Sequence, residues 1–176
     1  RLLPNDKVRL KFAYVIQCDE VVRDPDTQDP IELKCSVLLD TRAGVTPEGM
    51  KRVKGIIHWV EATTAATIQV NQYDRLFKTE APGKESGDFL LDINTNSLQV
   101  LQGAKIEPSV AVDALEMMAQ IRIAADEGNN KLYPSDLAYQ FERNGYFALD
   151  KESTPQSLIF NRVVTLRDTW TAESKP

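Results

Sequence analysis

Two basic side chains near the start of the chain, Arg9 and Lys11, have the type and spacing to bind a nucleic acid. They lie in segment 8–18, where apolar and polar residues alternate strictly, as in a half-buried strand with Phe12 on the apolar face and Val15 on the other. Alternation predicts that both lie on the exposed face about 7 Å apart, close to the spacing of consecutive phosphates or bases. A solvated strand face is the other interpretation.

The overall charge restricts how RNA could be held. The chain has 26 acidic and 21 basic residues and a formal net charge of −5, whereas a protein held by bulk charge is normally basic. Any contact must therefore be local. Basic residues do cluster at 1–11 and again at Lys51, Arg52 and Lys54.

Catalytic signatures have little support in the sequence. The single histidine, His58, has no nucleophile motif nearby, and one histidine with two separated cysteines cannot supply the usual zinc ligands. No phosphate-binding glycine motif occurs, so ATP chemistry within the chain is not expected. The residues alone predict a β-rich binding module without catalytic residues, metal or cofactor. The lack of a signal peptide or membrane-length apolar stretch predicts a cytoplasmic protein without a membrane partner.

The elements that must position these residues are mainly strands. A stripe of apolar residues over 109–127 predicts one short helix, and the breaker-rich stretch 81–87 predicts a domain boundary. Segment 139–150 predicts a hairpin, with Asn144-Gly145 as a two-residue type I′ turn directly after Arg143.

Five stretches, taken together, resemble the C-terminal anticodon-binding region of glutaminyl-tRNA synthetases, which are class I aminoacyl-tRNA synthetases. They occur in the family's order across nearly the whole chain. They are residues 8–16, 52–60, 73–77, 140–147 and 160–170.

The resemblance implies two small antiparallel β-barrels of the ribosomal protein L25-like type. Residues 1–80 would form the distal anticodon-binding barrel, and 81–176 the returning part of the proximal barrel. An insertion would lie near 110–138.

The resemblance also implies roles for single residues, each of which has a plain surface role as its alternative. Arg1 matches an arginine that reads the third anticodon base, and Arg9 and Lys11 match basic residues near the first. Gln140 matches a glutamine that hydrogen-bonds the middle base, and Arg143 an arginine that supports the same pocket.

The sequence departs from the family pattern at two neighbouring positions. Lys11 stands where an arginine is familiar, and Phe12 replaces a common asparagine. The lysine keeps the charge but loses the fork of the guanidinium.

The function implied is selection of tRNA(Gln), through its anticodon loop, for a glutamine-tRNA ligase. Its catalytic domain, in the same polypeptide, would use ATP with magnesium, and the enzyme is expected to be a monomer. The alternatives are a stand-alone L25-like binder of ribosomal RNA and the anticodon-binding region of a glutamyl-tRNA synthetase.

Overall fold

The computed structural model describes residues 2–129 and 131–166, and they form mainly strands, as predicted. The chain divides into two compact units, Arg1–Trp59 and Val60–Pro176. Each unit has its own sheet.

The first unit contains a four-stranded sheet of order β3-β2-β1-β4. Neighbouring strands run antiparallel except β4, which pairs with β1 in parallel. Cys18 and Cys35 lie opposite each other in the β2–β3 register, and both are free thiols. The strands are β1 (Lys7–Leu10), β2 (Val15–Arg23), β3 (Pro30–Leu38) and β4 (Ile56–Ile57).

The prediction of one continuous strand over 8–18 is wrong, because a tight turn separates β1 from β2. The Leu10 amide donates to the Tyr14 carbonyl (2.8 Å), and Phe12 adopts a left-handed φ of 61°. Such a φ costs a residue with a Cβ atom about 1 to 2 kcal/mol. The turn also resets which side chains face inward: Val15, predicted on the polar face, is fully buried, and Phe12, predicted on the apolar face, is 89% exposed.

The second unit contains a five-stranded sheet of order β6-β5-β9-β8-β7 and one helix. β5 and β9 pair in parallel and the other neighbours are antiparallel. The elements are β5 (Ala66–Tyr73), β6 (Leu98–Ile106), α1 (Pro108–Asp126), β7 (Ala138–Phe141), β8 (Gly145–Leu149) and β9 (Ile159–Val164).

The division between the units precedes the stretch 81–87 where the sequence analysis places a boundary. β5 lies between β6 and β9, so the chain already belongs to the second sheet from about residue 66. The breaker-rich stretch is an ordered turn of this unit, since the Asp92 carboxylate accepts hydrogen bonds from the Gly83 amide (2.7 Å) and the Ser86 hydroxyl (2.8 Å).

The predicted helix near 109–127 is confirmed as α1. Pro108 occupies its first turn, where a missing N–H is tolerated, and Gly128 follows its end with a φ of 74°. Ala114 is fully buried in a core with Phe147 and Phe160, whereas Ala125, at the end of the predicted stripe, is exposed. No helix in the described part of the chain has the length and apolarity to cross a membrane.

A buried side-chain amide, that of Asn71, links two neighbouring strands of the second sheet, β5 and β9. Asn71 on β5 lies opposite Asn161 on β9 and donates to its side-chain oxygen (2.9 Å). The Asn161 amide nitrogen in turn donates to the Asp150 carboxylate. Each buried polar group thus has a partner, which removes most of the penalty for burying it.

Closure of the sheets into barrels stays a prediction. Within the described ranges, 2–129 and 131–166, the paired strands form two sheets whose outer members do not pair with each other.

The hairpin predicted over 139–150 is confirmed, but its turn differs. Phe141 pairs with Gly145, so the loop has three residues rather than two, and Arg143 is at its tip with a φ of 65°. Gly145 is the first residue of β8, and a Cβ atom there would meet the Val164 carbonyl oxygen at 2.6 Å. The glycine at this position therefore allows close packing of the strands, and it is not the second residue of a type I′ turn.

We expect Gly145→Ala to lower the free energy of unfolding by about 2 to 4 kcal/mol, since strain from its φ of 145° adds to a backbone clash. The matched control is Gly103→Ala, which has a φ of 74° but no atom within 4 Å of the added Cβ. It should lose only about 1 kcal/mol. Urea titration of both variants measures the difference, and equal losses would show that the contact with Val164 is relieved cheaply.

Candidate nucleic-acid interface

Arg9 fastens a loop to the first sheet. From β1, its half-buried guanidinium donates through Nη1 to the Thr41 carbonyl (2.7 Å) and through Nη2 to the Val45 carbonyl (2.9 Å). These contacts use two of its five N–H donors and do not neutralise its positive charge, since carbonyls carry no net charge. Arg9 therefore has a structural role, whatever else it binds.

Thr41 holds the same loop from its other side. The side chain is fully buried, and its hydroxyl accepts a hydrogen bond from the Val15 amide (2.8 Å) while donating to the Leu38 carbonyl. Thr41 belongs to the 3-10 segment Leu39–Gly44. The loop that follows β3 is thus fixed to both β1 and β2.

Arg9 also lines a cleft that we call the basic cleft. Three of its seven lining residues are cationic and none is acidic, so its potential favours an anion such as a phosphate. Its volume is about 440 Å³. It is lined by Arg9, Gly44, Thr46, Arg52, Val53, Lys54 and Ile56.

Arg52 and Lys54 are not among the site residues predicted from the sequence. Their clustering with Lys51 was the available signal. Only the fold shows that β4 brings the residues before it to the β1 edge, where the Arg9 amide donates to the Gly55 carbonyl (2.9 Å).

Lys11 lies in the turn after β1, so its predicted position beside Arg9 on a strand face is wrong. Its ammonium nitrogen lies 5.1 Å from the centroid of the Phe12 ring, a cation–π geometry. Its backbone is fixed by β4 and the residues after it: the amide donates to the Ile57 carbonyl (2.9 Å), and the Trp59 indole donates to the Lys11 carbonyl (3.0 Å).

Gln140 and Arg143 lie in the second unit, whereas Arg9 and Lys11 lie in the first. Gln140 is on β7 opposite Tyr146, and its side chain is exposed. Arg143 is exposed at the tip of the same hairpin. In a continuous strand, Gln140 and Arg143 are three residues apart and would point to opposite faces. This restriction does not apply here, because Arg143 lies in the loop and not in the strand.

Two sequence expectations fall outside the described residues. Arg1 is one, and the end of the last family-like stretch, 167–170, is the other.

The strand that carries Gln140 is tied to α1. The Tyr139 hydroxyl donates to the Asp113 carboxylate on the helix. Burial, with the hydrogen bond and negative charge of Asp113, raises the pKa of Tyr139 to about 12. The pair therefore fixes the position of β7 beside the residue proposed to read a base.

The family model described as "tRNA synthetases class I (E and Q), anti-codon binding domain" matches residues 56–122. The match starts at β4 and reaches into α1. Residues 56–122 are therefore similar to the anticodon-binding domain of these class I synthetases.

Known members of this family are similar to the chain over nearly all of its length. Glutamine-tRNA ligases of Pseudomonas aeruginosa and Pseudomonas putida are 44% and 45% identical over 173 residues. The enzyme of Nitrobacter winogradskyi is 41% identical over 170 residues. Each alignment covers 97% of this chain but only 27% or 26% of the relative, so the chain spans about a quarter of their length.

Arg9→Lys should lower the free energy of unfolding by about 1 to 2 kcal/mol, because a single ammonium cannot reproduce the two-pronged contact with Thr41 and Val45. Arg23→Lys is the matched control, since exposed Arg23 bonds one loop carbonyl, that of Gln28. It should change stability by less than about 0.5 kcal/mol. Equal effects in a denaturant titration would remove the fastening role from Arg9.

Tyr139→Phe should change how stability depends on pH. A pKa raised from about 10 to about 12 means that the folded protein keeps the Tyr139 proton after the unfolded chain has lost it. This contribution is complete below pH 10 and is lost as the pH rises towards 12. We therefore expect the difference in unfolding free energy between wild type and Tyr139→Phe to shrink over that window. A difference that stays constant from pH 9 to 12 would contradict the Asp113 contact.

Proposed function

We propose that this chain is the tRNA anticodon-binding module of a glutamine-tRNA ligase and selects tRNA(Gln) for ATP-dependent glutaminylation. The observation that carries the proposal is 44% identity to a glutamine-tRNA ligase across 97% of the chain. The catalytic step, with ATP and magnesium, belongs to another part of the ligase, and no step of it is assigned to the described residues.

The basic cleft supplies the backbone contact in this proposal. Unpaired anticodon bases are read by hydrogen bonds to their edges, while cations hold the phosphates. Arg52 and Lys54 line the cleft beside the Arg9 guanidinium, so together they form a local positive site on a chain of net negative charge. Arg9 contributes positive charge and a firmly held side of the cleft, and its remaining N–H donors contact a base.

Gln140 supplies base reading in the second unit. A carboxamide presents one donor side and one acceptor side, which suits the edge of a base. Its side chain is exposed, so the amide can reach a base. The strand that carries it is tied to α1 through Tyr139, which fixes the position of its backbone. Arg143, at the neighbouring tip, supports the same base, and Arg1 reads the third base.

The finer architecture belongs to the same proposal. Each sheet forms part of an L25-like barrel: the sheet of the unit Arg1–Trp59 belongs to the distal barrel, and the sheet of the unit Val60–Pro176, which includes β5, belongs to the proximal barrel. The ligase acts as a monomer in the cytoplasm. A glutamyl-specific enzyme is the second candidate, because the matching family model covers both the glutamate and the glutamine type.

Binding of this chain to anticodon stem-loops, followed by fluorescence anisotropy across a salt series, tests the proposal. We expect tighter binding of a loop with a CUG or UUG anticodon than of a glutamate or an unrelated one. Gln140→Ala should remove about 1 to 3 kcal/mol of that preference. Arg52→Gln and Lys54→Gln should weaken all loops alike and each reduce the slope of log K against log salt by about 0.7.

Lys151→Gln is the control for loss of positive charge, since this lysine is 82% exposed, belongs to the second unit and does not line the basic cleft. It should leave both affinity and slope unchanged. A preference for the glutamate loop would transfer the proposal to a glutamyl-tRNA synthetase. Equal binding of all loops would overturn anticodon selection and favour the ribosomal RNA binder.

A further inference from the structure

Phe12 is the most exposed large apolar side chain among the described residues. It is 89% exposed, against 75% for Leu39, the next in order. Water thus surrounds nearly the whole ring, although burial of an aromatic side chain is normally a large favourable contribution to folding. The sequence pattern predicted the opposite, an inward-facing position on a strand.

The backbone at Phe12 is strained as well as exposed. Its φ of 61° lies in the left-handed region, which is uncommon for residues with a Cβ atom and an outlier for bulky ones. Asparagine tolerates this conformation better. Neither the local backbone nor the packing of the fold therefore explains a phenylalanine here, and strain of this kind points to function.

The turn holds its backbone firmly. The Ala13 amide donates to the Leu10 carbonyl (3.0 Å), and the Ala13 carbonyl accepts from the Ala43 amide (3.1 Å) in the Arg9-fastened loop. The Trp59 indole adds its hydrogen bond to the Lys11 carbonyl. The ring thus projects from an anchored backbone, so a ligand that meets it need not order the turn first.

The charge around the ring suits a nucleotide. The Lys11 ammonium lies 5.1 Å from the ring centroid, and β1, which leads into this turn, carries Arg9 of the basic cleft. An aromatic face beside cations is how proteins bind unpaired bases: the ring stacks on the base while the cations meet its phosphates.

We propose that Phe12, with Lys11, is a stacking platform for one unpaired base of the RNA bound at the basic cleft. This inference rests on the proposed function and adds a contact at a position where the family pattern has an asparagine. A protein partner fits the tip less well, because the residues flanking the ring are a lysine and an alanine. A specific protein interface needs about 800 Å² on each partner, whereas one base needs only one ring.

The test uses anticodon stem-loops in which 2-aminopurine, whose fluorescence falls when it stacks, replaces each loop base in turn. With this chain we expect quenching at one or two neighbouring loop positions. Phe12→Leu keeps the apolar volume without a π-face, and Phe12→Asn keeps the turn without a ring. Both should abolish the quenching and weaken binding by about 5- to 150-fold. Phe12→Tyr should retain quenching and bind within about twofold of wild type.

Folding is controlled in the same series. Phe12→Asn should melt at or above the wild-type temperature, because asparagine relieves the left-handed strain, so weaker binding by this variant cannot come from unfolding. Unchanged quenching and affinity in Phe12→Leu and Phe12→Asn would overturn the platform.

The two proposals fail separately. A wild-type preference for the glutamine anticodon with no effect at Phe12 leaves the proposed function standing without the platform. Quenching that depends on Phe12 but is equal for every anticodon leaves a base-stacking platform without anticodon selection. If the chain binds none of the loops, both are overturned.

Discussion

The hydrogen bonds from Arg9 to Thr41 and Val45 hold the loop after β3 against β1, and the arrangement of the first unit depends on them. A loop after β3 has few apolar residues to bury, so packing alone would leave it loosely attached. A charged donor on β1 binds two of its carbonyls, and the buried hydroxyl of Thr41 binds the start of β2 from within. The basic cleft exists because this loop, β1 and the chain before β4 are held together. The same arginine thus serves structure and supplies charge.

Hairpin tips carry the exposed groups in both units. Phe12 and Arg143 each adopt a left-handed φ, at 61° and 65°, although neither is glycine. These two turns contain such a residue, and the surrounding strands impose it by pairing up to the edge of the loop. Both side chains are exposed, and backbone hydrogen bonds hold the turns that carry them. That combination of firm backbone and open side chain suits residues that meet a ligand.

In the second unit, side-chain hydrogen bonds and close packing within the sheet hold the strands in place. Its strands β5 and β9 are linked by an amide hydrogen bond between Asn71 and Asn161, and its helix is tied to β7 by Tyr139 and Asp113. Close packing at Gly145 then sets the length of the β7–β8 loop. Gln140 is positioned by this framework without taking part in it. A residue of this kind is open to substitution at little cost in stability, which makes it a direct probe of binding.

The sequence by itself determined the class and the helix, and its five ordered motifs carry the resemblance to an anticodon-binding region. Period-two alternation predicts strands and helical spacing predicts α1, because each of these signals is local or additive along the chain. Tertiary structure decided the break at Phe12, the three-residue loop before Gly145 and the division between the units. These depend on contacts between distant residues: β4 against β1, a Val164 carbonyl against Gly145, and β5 between β6 and β9. A strict alternation continues unchanged through a tight turn, so the pattern that predicted Arg9 and Lys11 as neighbours on one strand could not show that the chain reverses between Leu10 and Val15.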